Sequence, residues 1–329
     1  MRRREFILYI GTSAAMLPFA GARSAERARR LGMLMSTREG DPVAVTRVAK
    51  FREGLAQLGW REGQNLQIEW RWSGGDIVLT RLYAEQLVQL APDVLLGNGT
   101  PATVALKQAT STIPIVCSVV NDPVSQGIIS SMAHPGGNIT GFSFLEYSMV
   151  GKSLEMLKRI APQSKSVAIM FNPETYPYYE IHLKSFERVA GQLSLSLSAA
   201  PVKSVAEVDE AVARLGQQAG ATLLVTPDPF MLVNRGAAIK AAAQYRVPAS
   251  YSYRQNVEEG GLTSYGADAG DIFFRSAGYI DRILKGTPPG DLPAQAPVKF
   301  EIAFNVKAAK ALGLEIPPDL LALADAVVE

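Results

Sequence analysis

Residues that could bind a small polar molecule recur in this chain at strand-to-helix corners, whereas residues suited to catalysis are scarce. Pro92 to Gln108 reads PDVLLGNGTPATVALKQ. Asp93 to Gly97 is a short apolar run bounded by glycine, as a buried strand would be, and Thr100-Pro101 has the form of a helix N-cap and first helical residue. The backbone N–H groups of Ala102, Thr103 and Val104 would then leave the corner with the positive end of the helix dipole, an arrangement that suits a carboxylate. The pattern recurs in the second half. Thr222 to Thr226 (TLLVT) runs into Pro227-Asp228-Pro229-Phe230 and a helix expected over Met231 to Tyr245. Each helix is followed by a branched residue, a proline and a new apolar run, Ile113-Pro114-Ile115-Val116 and Val247-Pro248-Ala249-Ser250. Two similar halves, each presenting such a corner, suggest a cleft between two lobes.

The candidate ligand-binding residues lie at the mouths of the expected strands, where open α/β sheets bind ligands. They are Asn98, Gly99, Thr100, Pro101, Ala102 and Thr103 at the first corner, Asn121 and Asp122 at the next, and Ser143 where the first half ends. Asn172, Tyr176 and Tyr178 follow the first strand of the second half, Asp228 and Phe230 form the repeated corner, and Tyr251 and Tyr253 come after it. A carboxylate at Thr100, an ammonium near Asp122 or Asp228, and an aromatic or aliphatic side chain against the tyrosines would together recognise an amino acid or small amphipathic solute. Each residue also has a plainer reading: Thr100 as a cap only, Asp228 as a turn residue between prolines, the tyrosines as half-buried packing.

Catalytic constellations find little support in the sequence, where counting alone leaves a Ser-His-Asp triad open but no motif marks one. The two histidines, His134 before Pro-Gly-Gly and His182 in a helical stretch, have no cysteine or carboxylate cluster at metal-ligand spacing, and solvent-facing or capping roles are expected for both. No G-x-S-x-G elbow, dinucleotide-binding G-x-G-x-x-G or P-loop occurs. No cofactor, metal or enzymatic activity is expected.

Composition agrees. A chain of 329 residues with 47% hydrophobic and 19% charged content suits two folded domains. The net charge is +2, and setting aside residues 1–22, which hold Arg2, Arg3, Arg4 and Glu5, leaves 30 basic and 30 acidic residues. No basic stripe for nucleic acid or an anionic membrane remains. The single cysteine, Cys117 in IPIVCSVV, reads as a buried small hydrophobe and rules out an internal disulfide. Residues 1–22 themselves combine a charged start, a short apolar run over Phe6 to Phe19 and Ala20-Gly21-Ala22, which is the pattern of an export signal. The run falls short of the roughly 20 residues of a membrane span, and Arg3-Arg4-Glu5-Phe6-Ile7 resembles a twin-arginine core. A periplasmic protein without stable membrane insertion is expected.

Strand and helix alternate from Arg30 onward, arguing for parallel sheets covered on both faces. The first helix shows apolar residues at Val45, Val48, Phe51, Leu55 and Leu58. Val119 to Phe144, rich in Gly, Pro, Asn and Ser, reads as cleft wall and hinge. Expected units are 30–142 with 254–290 as the first lobe and 143–253 with 291–329 as the second, so that several segments cross the hinge.

Ser131 to Ser143 (SMAHPGGNITGFS), Gly99 to Thr112 (GTPATVALKQATST) and the tail from Gly261 (GLTSYGADAGDIFFRSAGYIDRILKGTPPGDLPAQAPVKFEIAFNVKAAKALGLEIPP) resemble the ABC transporter substrate-binding family of tryptophan-uptake type. The resemblance covers nearly the whole chain. It implies a type I periplasmic-binding-protein fold with two Rossmann-like lobes, a three-stranded hinge, and delivery of the ligand to a membrane permease and ATPase. It further implies aromatic amino acid ligands whose carboxylate rests on the Gly-Thr-Pro-Ala corner, here Gly99 to Ala102. The chain departs from the family pattern at Tyr176-Pro177-Tyr178-Tyr179, where a longer polar stretch is common, and at Pro227-Asp228-Pro229-Phe230, where tryptophan binders have an Asp-Asn type corner. Two other readings fit less of the sequence: an extracytoplasmic sensor feeding a membrane signalling partner, and an exported Rossmann-like enzyme.

Overall fold

The computed structural model describes residues 27–144 and 147–329, so the export segment expected over residues 1–22 lies outside the described residues. The first half runs β1 (Arg29–Met35), α1 (Pro42–Gln57), β2 (Leu66–Trp72), α2 (Ile77–Gln89), β3 (Val94–Asn98), α3 (Thr100–Ala109), β4 (Ile115–Val120) and β5 (Ile139–Ser143). Its strands pair in parallel in the order β2-β1-β3-β4-β5. β3 and β4 are buried along their whole length, as strands covered on both faces must be.

The second half repeats this winding. It comprises α4 (Tyr147–Ile160), β6 (Ser166–Phe171), α5 (Tyr179–Gln192), β7 (Ser196–Pro201), α6 (Val205–Gly216), β8 (Ala221–Val225), α7 (Pro229–Val233), α8 (Arg235–Gln244), β9 (Ala249–Tyr251), α9 (Arg254–Glu258) and β10 (Thr263–Ala267). The order β7-β6-β8-β9-β10 matches that of the first sheet strand for strand. The repeat read from the two corners is therefore topological, with β8 and α7 standing where β3 and α3 stand. The helix expected over Met231 to Tyr245 is two helices, because Asn234 at φ −105° and ψ 21° ends α7 and opens α8.

Past β10 the chain returns to the first lobe. α10 (Ala269–Leu284) lies along α1, with Phe51 and Phe273 edge to face at 6.4 Å between ring centroids. The helices approach so closely at Gly54 that a Cβ there would stand 2.6 Å from the Phe274 carbonyl oxygen. Trp60 Nε1 adds a hydrogen bond of 2.9 Å to Asp281. After a 3-10 turn at Pro289–Asp291, Gln295 bonds through its backbone to Gly141 and Ser143 beside β5. The chain then crosses back as β11 (Phe300–Asn305), antiparallel to β10, followed by α11 (Val306–Leu312), α12 (Pro318–Leu321) and β12 (Ala326–Val328). The second sheet thus has seven strands.

Three passages link the lobes: after Ser143, between Ala267 and Ala269, and between Gln295 and Phe300. This moves the expected boundaries. Arg254 to Ala267 goes with the second lobe, because β10 pairs with β9 at Thr263–Ser250, and residues 292–295 stay with the first. One apolar cluster runs from Leu31, Phe51 and Leu96 through Phe144 and Tyr253 to Val167 and Phe171, so the lobes are packed against each other. The buried face of α1 also differs from expectation. Val43, Ala44, Arg47, Phe51, Gly54 and Leu55 face inward, while Val45 and Leu58 are exposed.

Candidate functional site: a cleft between two strand-to-helix corners

In each sheet the winding reverses direction beside its first strand, between β1 and β3 and between β6 and β8, and the strand ends at those points face one another across the lobes. They enclose a cavity of about 20 Å³, room for about one water. Ser36, Arg47, Asn98 and Asn121 line it from the first lobe, and Thr175, Pro229 and Tyr253 from the second. A Cβ on Gly75 would stand 3.3 Å from the Pro229 carbonyl oxygen, and one on Gly99 would lie 3.7 Å from the Pro229 ring. The lobes are closed on each other.

At the first corner the N-cap of α3 is Gly99 at φ +87°, not Thr100. Its N–H donates to the Ser118 carbonyl at 2.8 Å. The Thr100 hydroxyl instead accepts from the Asn121 N–H at 3.2 Å, tying the ends of β3 and β4 together. The Thr103 N–H and hydroxyl both donate to the Gly99 carbonyl, and Pro101 has no N–H, so the donors left at this helix start are Thr100 and Ala102. The side-chain oxygens of Asn98 and Asn121 are buried and, among the described residues, have no hydrogen-bond partner. Val119, at φ +61° inside the bulge that interrupts the β4–β5 register, holds a backbone conformation that β-branched residues rarely adopt, and Asp122 follows at φ +37°. Such strain at the mouth of a strand is characteristic of ligand clamps.

The second corner is built around Asp228. Its carboxylate accepts from the Asn172 and Met231 N–H groups at 3.2 and 3.0 Å and from the Thr175 and Thr226 hydroxyls at 2.9 Å each. Burial pushes its pKa up to about 6 against the lowering effect of these donors. Asp228 therefore holds the corner, and an ammonium partner role is not open to oxygens so fully used. Asn172 is likewise structural, its side-chain oxygen accepting from the Glu174 and Thr175 N–H groups.

Of the aromatic candidates, Tyr253 faces the cleft. Tyr251 packs with the core under α8 and lines a separate apolar pocket of about 320 Å³ with Val247, Gly261 and Leu262. Phe230 packs against that same core. Tyr176 is buried beside Phe171, its hydroxyl bonded to His182 Nδ1, and Tyr178 stands at the start of α5, away from the cavity. Ser143 is a hinge residue whose N–H donates to the Gln295 carbonyl at 2.9 Å. The sequence reading missed Arg47. Its spacing of four from Val43 and from Phe51 is the signal that places it on the buried stripe.

The family model for ABC transporter substrate binding proteins matches residues 39–328. The chain belongs to this family. A curated protein of Clostridioides difficile described as a tyrosine-binding protein is 26% identical over 265 residues, covering 80% of this chain and 76% of that protein. Among solved structures, a conserved domain protein of Vibrio cholerae superposes with a TM-score of 0.85 at 29% identity, covering 92% of this chain and all of the other. The ABC domain of Streptococcus pneumoniae in complex with L-Trp gives 0.84 at 24% identity, covering 91% and 99%. The fold is that of the type I periplasmic binding proteins.

Among the described residues, an ion pair and a histidine–carboxylate contact cross the cleft of this substrate-binding protein. Arg235 of α8, with an 8% exposed side chain, reaches Asp41 at the start of α1 at 2.8 Å and is held from its own lobe by Glu259 at 2.7 Å. His182 of α5 lies 3.7 Å from the Asp122 carboxylate. It is buried, not solvent-facing, and burial lowers its pKa while Asp122 partly offsets this. The folded protein therefore resists protonation where an unfolded histidine accepts it, near pH 6.5, so this contribution is present above that value and is lost as pH falls through the lowered folded pKa. His182→Gln should flatten the fall in melting temperature between pH 7.5 and 5.5. Parallel curves for variant and wild type would mean that His182 does not titrate in that window.

Proposed function

We propose that this protein is the periplasmic solute-binding component of an ABC importer and holds an amino acid such as tyrosine or tryptophan between its lobes, without chemical conversion. The observation that carries the reading is the cleft itself. Two buried amide oxygens, from Asn98 and Asn121, lie in a cavity closed by both lobes and lack hydrogen-bond partners in the described protein. Buried polar groups are normally paired, and these acceptors suit a ligand ammonium. The relatives described as binding tyrosine and L-Trp support the ligand class.

An amino acid is far larger than the present cavity, so entry requires the lobes to part about the three passages. Closure around the ligand then brings Arg235 back toward Asp41 with the lobes held wider than they stand here, and the ligand selects a closed arrangement close to one that the chain reaches alone. A membrane permease and its ATPase are the expected partners, reading the closed form. The sequence pattern of residues 1–22 supports export, and among the described residues no helix is long and apolar enough to cross a membrane.

The test is a thermal-shift screen of the chain from Arg23 onward against amino acids, aromatic acids and small peptides. A true ligand at 100 times its dissociation constant should stabilise the fold by about 2.7 kcal/mol. A folded protein unmoved by the whole set would refute the amino acid reading.

A further inference from the structure

Arg47 projects from the second turn of α1 into the cleft wall and is 2% exposed. Its Nε and Nη2 atoms have no hydrogen-bond partner among the described residues. The carboxylates that line a pocket with Arg47 have other partners: Asp268 accepts from the Asp271 N–H, and Glu258 and Glu301 both face Arg254. What Arg47 does touch is aromatic. Its guanidinium lies 5.2 Å from the ring centroid of Tyr253 and 6.0 Å from that of Phe273. The ring faces and the Tyr253 hydroxyl, which also interacts with the guanidinium, offset part of the cost of taking the charge out of water, but they leave Nε and Nη2 without an acceptor.

We propose that Arg47 receives the carboxylate of the ligand, so that the cleft takes α-amino acids and related monocarboxylates and rejects the corresponding amines. The inference rests on the solute-binding reading above and deepens it. A guanidinium presents parallel N–H groups at the spacing of two carboxylate oxygens, so the pair is specific as well as strong. Asn98 and Asn121, in the wall of the same cavity, offer oxygens for the opposite charge. Tyr253 belongs to the second lobe and Arg47 to the first, so the ring that supports the guanidinium is in place only when the lobes meet. Carboxylate recognition and closure are one event in this geometry, and the helix start at Thr100 and Ala102 becomes a secondary contact.

The test is calorimetric titration of the full mature chain with L-tyrosine, with tyramine, which lacks the carboxylate, and with 3-(4-hydroxyphenyl)propionate, which lacks the amine. Wild type should bind L-tyrosine about 100-fold or more tightly than tyramine, the scale expected when a buried charge is left unpaired. Arg47→Gln should lose about as much affinity for L-tyrosine, with Arg47→Lys intermediate, and circular dichroism would show whether each variant is folded. Equal binding of tyramine and L-tyrosine by wild type needs no variant and overturns the proposal while leaving the solute-binding reading intact. Unchanged L-tyrosine affinity in Arg47→Gln does the same. Binding of the propionate but not of L-tyrosine, lost in Arg47→Gln, would support Arg47 and sink the amino acid reading. No binding of either carboxylate at millimolar concentration would overturn both.

Discussion

Gly141→Ala should cost about 3 kcal/mol or more of unfolding free energy, the upper end of what overpacking against rigid neighbours costs. Gly141 sits in β5 at φ +142°, where the β4–β5 register shifts between Cys117 and Val120. A Cβ there would stand 2.0 Å from the Cys117 carbonyl oxygen and 2.6 Å from its nitrogen. Both are backbone atoms of a buried strand, so neither can swing aside. The bulge made possible by this close approach also carries Val119 into the cleft wall, and a variant that still folds should bind ligand poorly. Gly278→Ala is the control. It lies inside α10 with open space at the Cβ position, and it should raise stability by about 0.5–1 kcal/mol through helix propensity. Urea unfolding midpoints decide the matter, and a wild-type midpoint for Gly141→Ala would show that the bulge can be rebuilt.

Asp228→Ala should cost about 3 kcal/mol, since it strips two buried N–H groups and two hydroxyls of their acceptor and removes the N-cap of α7. Asp228→Asn should fail nearly as badly, because its NH₂ would face donors. Ligand affinity should fall with stability in both, although the carboxylate itself does not reach the ligand: the loop holding Thr175 and the corner holding Pro229 are cleft walls anchored on it. The pH dependence has a definite sign. The folded pKa of about 6 lies above the ordinary 3.8, so the folded state binds the extra proton between these values. The stabilising contribution is full below about 3.8 and is lost as pH rises through about 6. The deficit of Asp228→Ala should therefore be wider at pH 4.5 than at pH 7.5, measured by thermal melts. A deficit that narrows toward acid would refute the assignment.

The two-lobed α/β fold was legible because its signals are local and repeated. Apolar runs bounded by Gly, Pro or Asp mark strands, and the doubled Pro-containing corner marks the duplication. The lobe boundary near residue 254 was not, since whether β10 pairs with β9 or crosses over depends on sheet pairing that no local pattern encodes. Within the site, Asn98, Thr100 and Asn121 follow from the rule that strand ends carry function, but their partners do not. Thr100 gives up the cap because Gly99 can take φ +87° and frees the hydroxyl for Asn121. Tyr251 and Tyr253 are two residues apart, yet Tyr251 keeps the strand's alternation and faces α8, whereas Tyr253 lies past the strand end and turns to the cleft. Arg47 escaped because a charge on an amphipathic helix is read as solvent-facing, while Val43 and Phe51, one turn to either side, place it inward. His182 escaped for the same reason.

The pairing of α10 with α1 sets the order of synthesis against the order of folding. The inward face of α1, with Phe51, Gly54 and Leu55, is covered by residues made after almost the whole second lobe. As the chain leaves the ribosome, the first lobe is translated first and completed late, and until Phe273 and Ala277 arrive its apolar helix face has no native cover. That interval is when the exposed face is most open to aggregation, and chains truncated before α10 should aggregate.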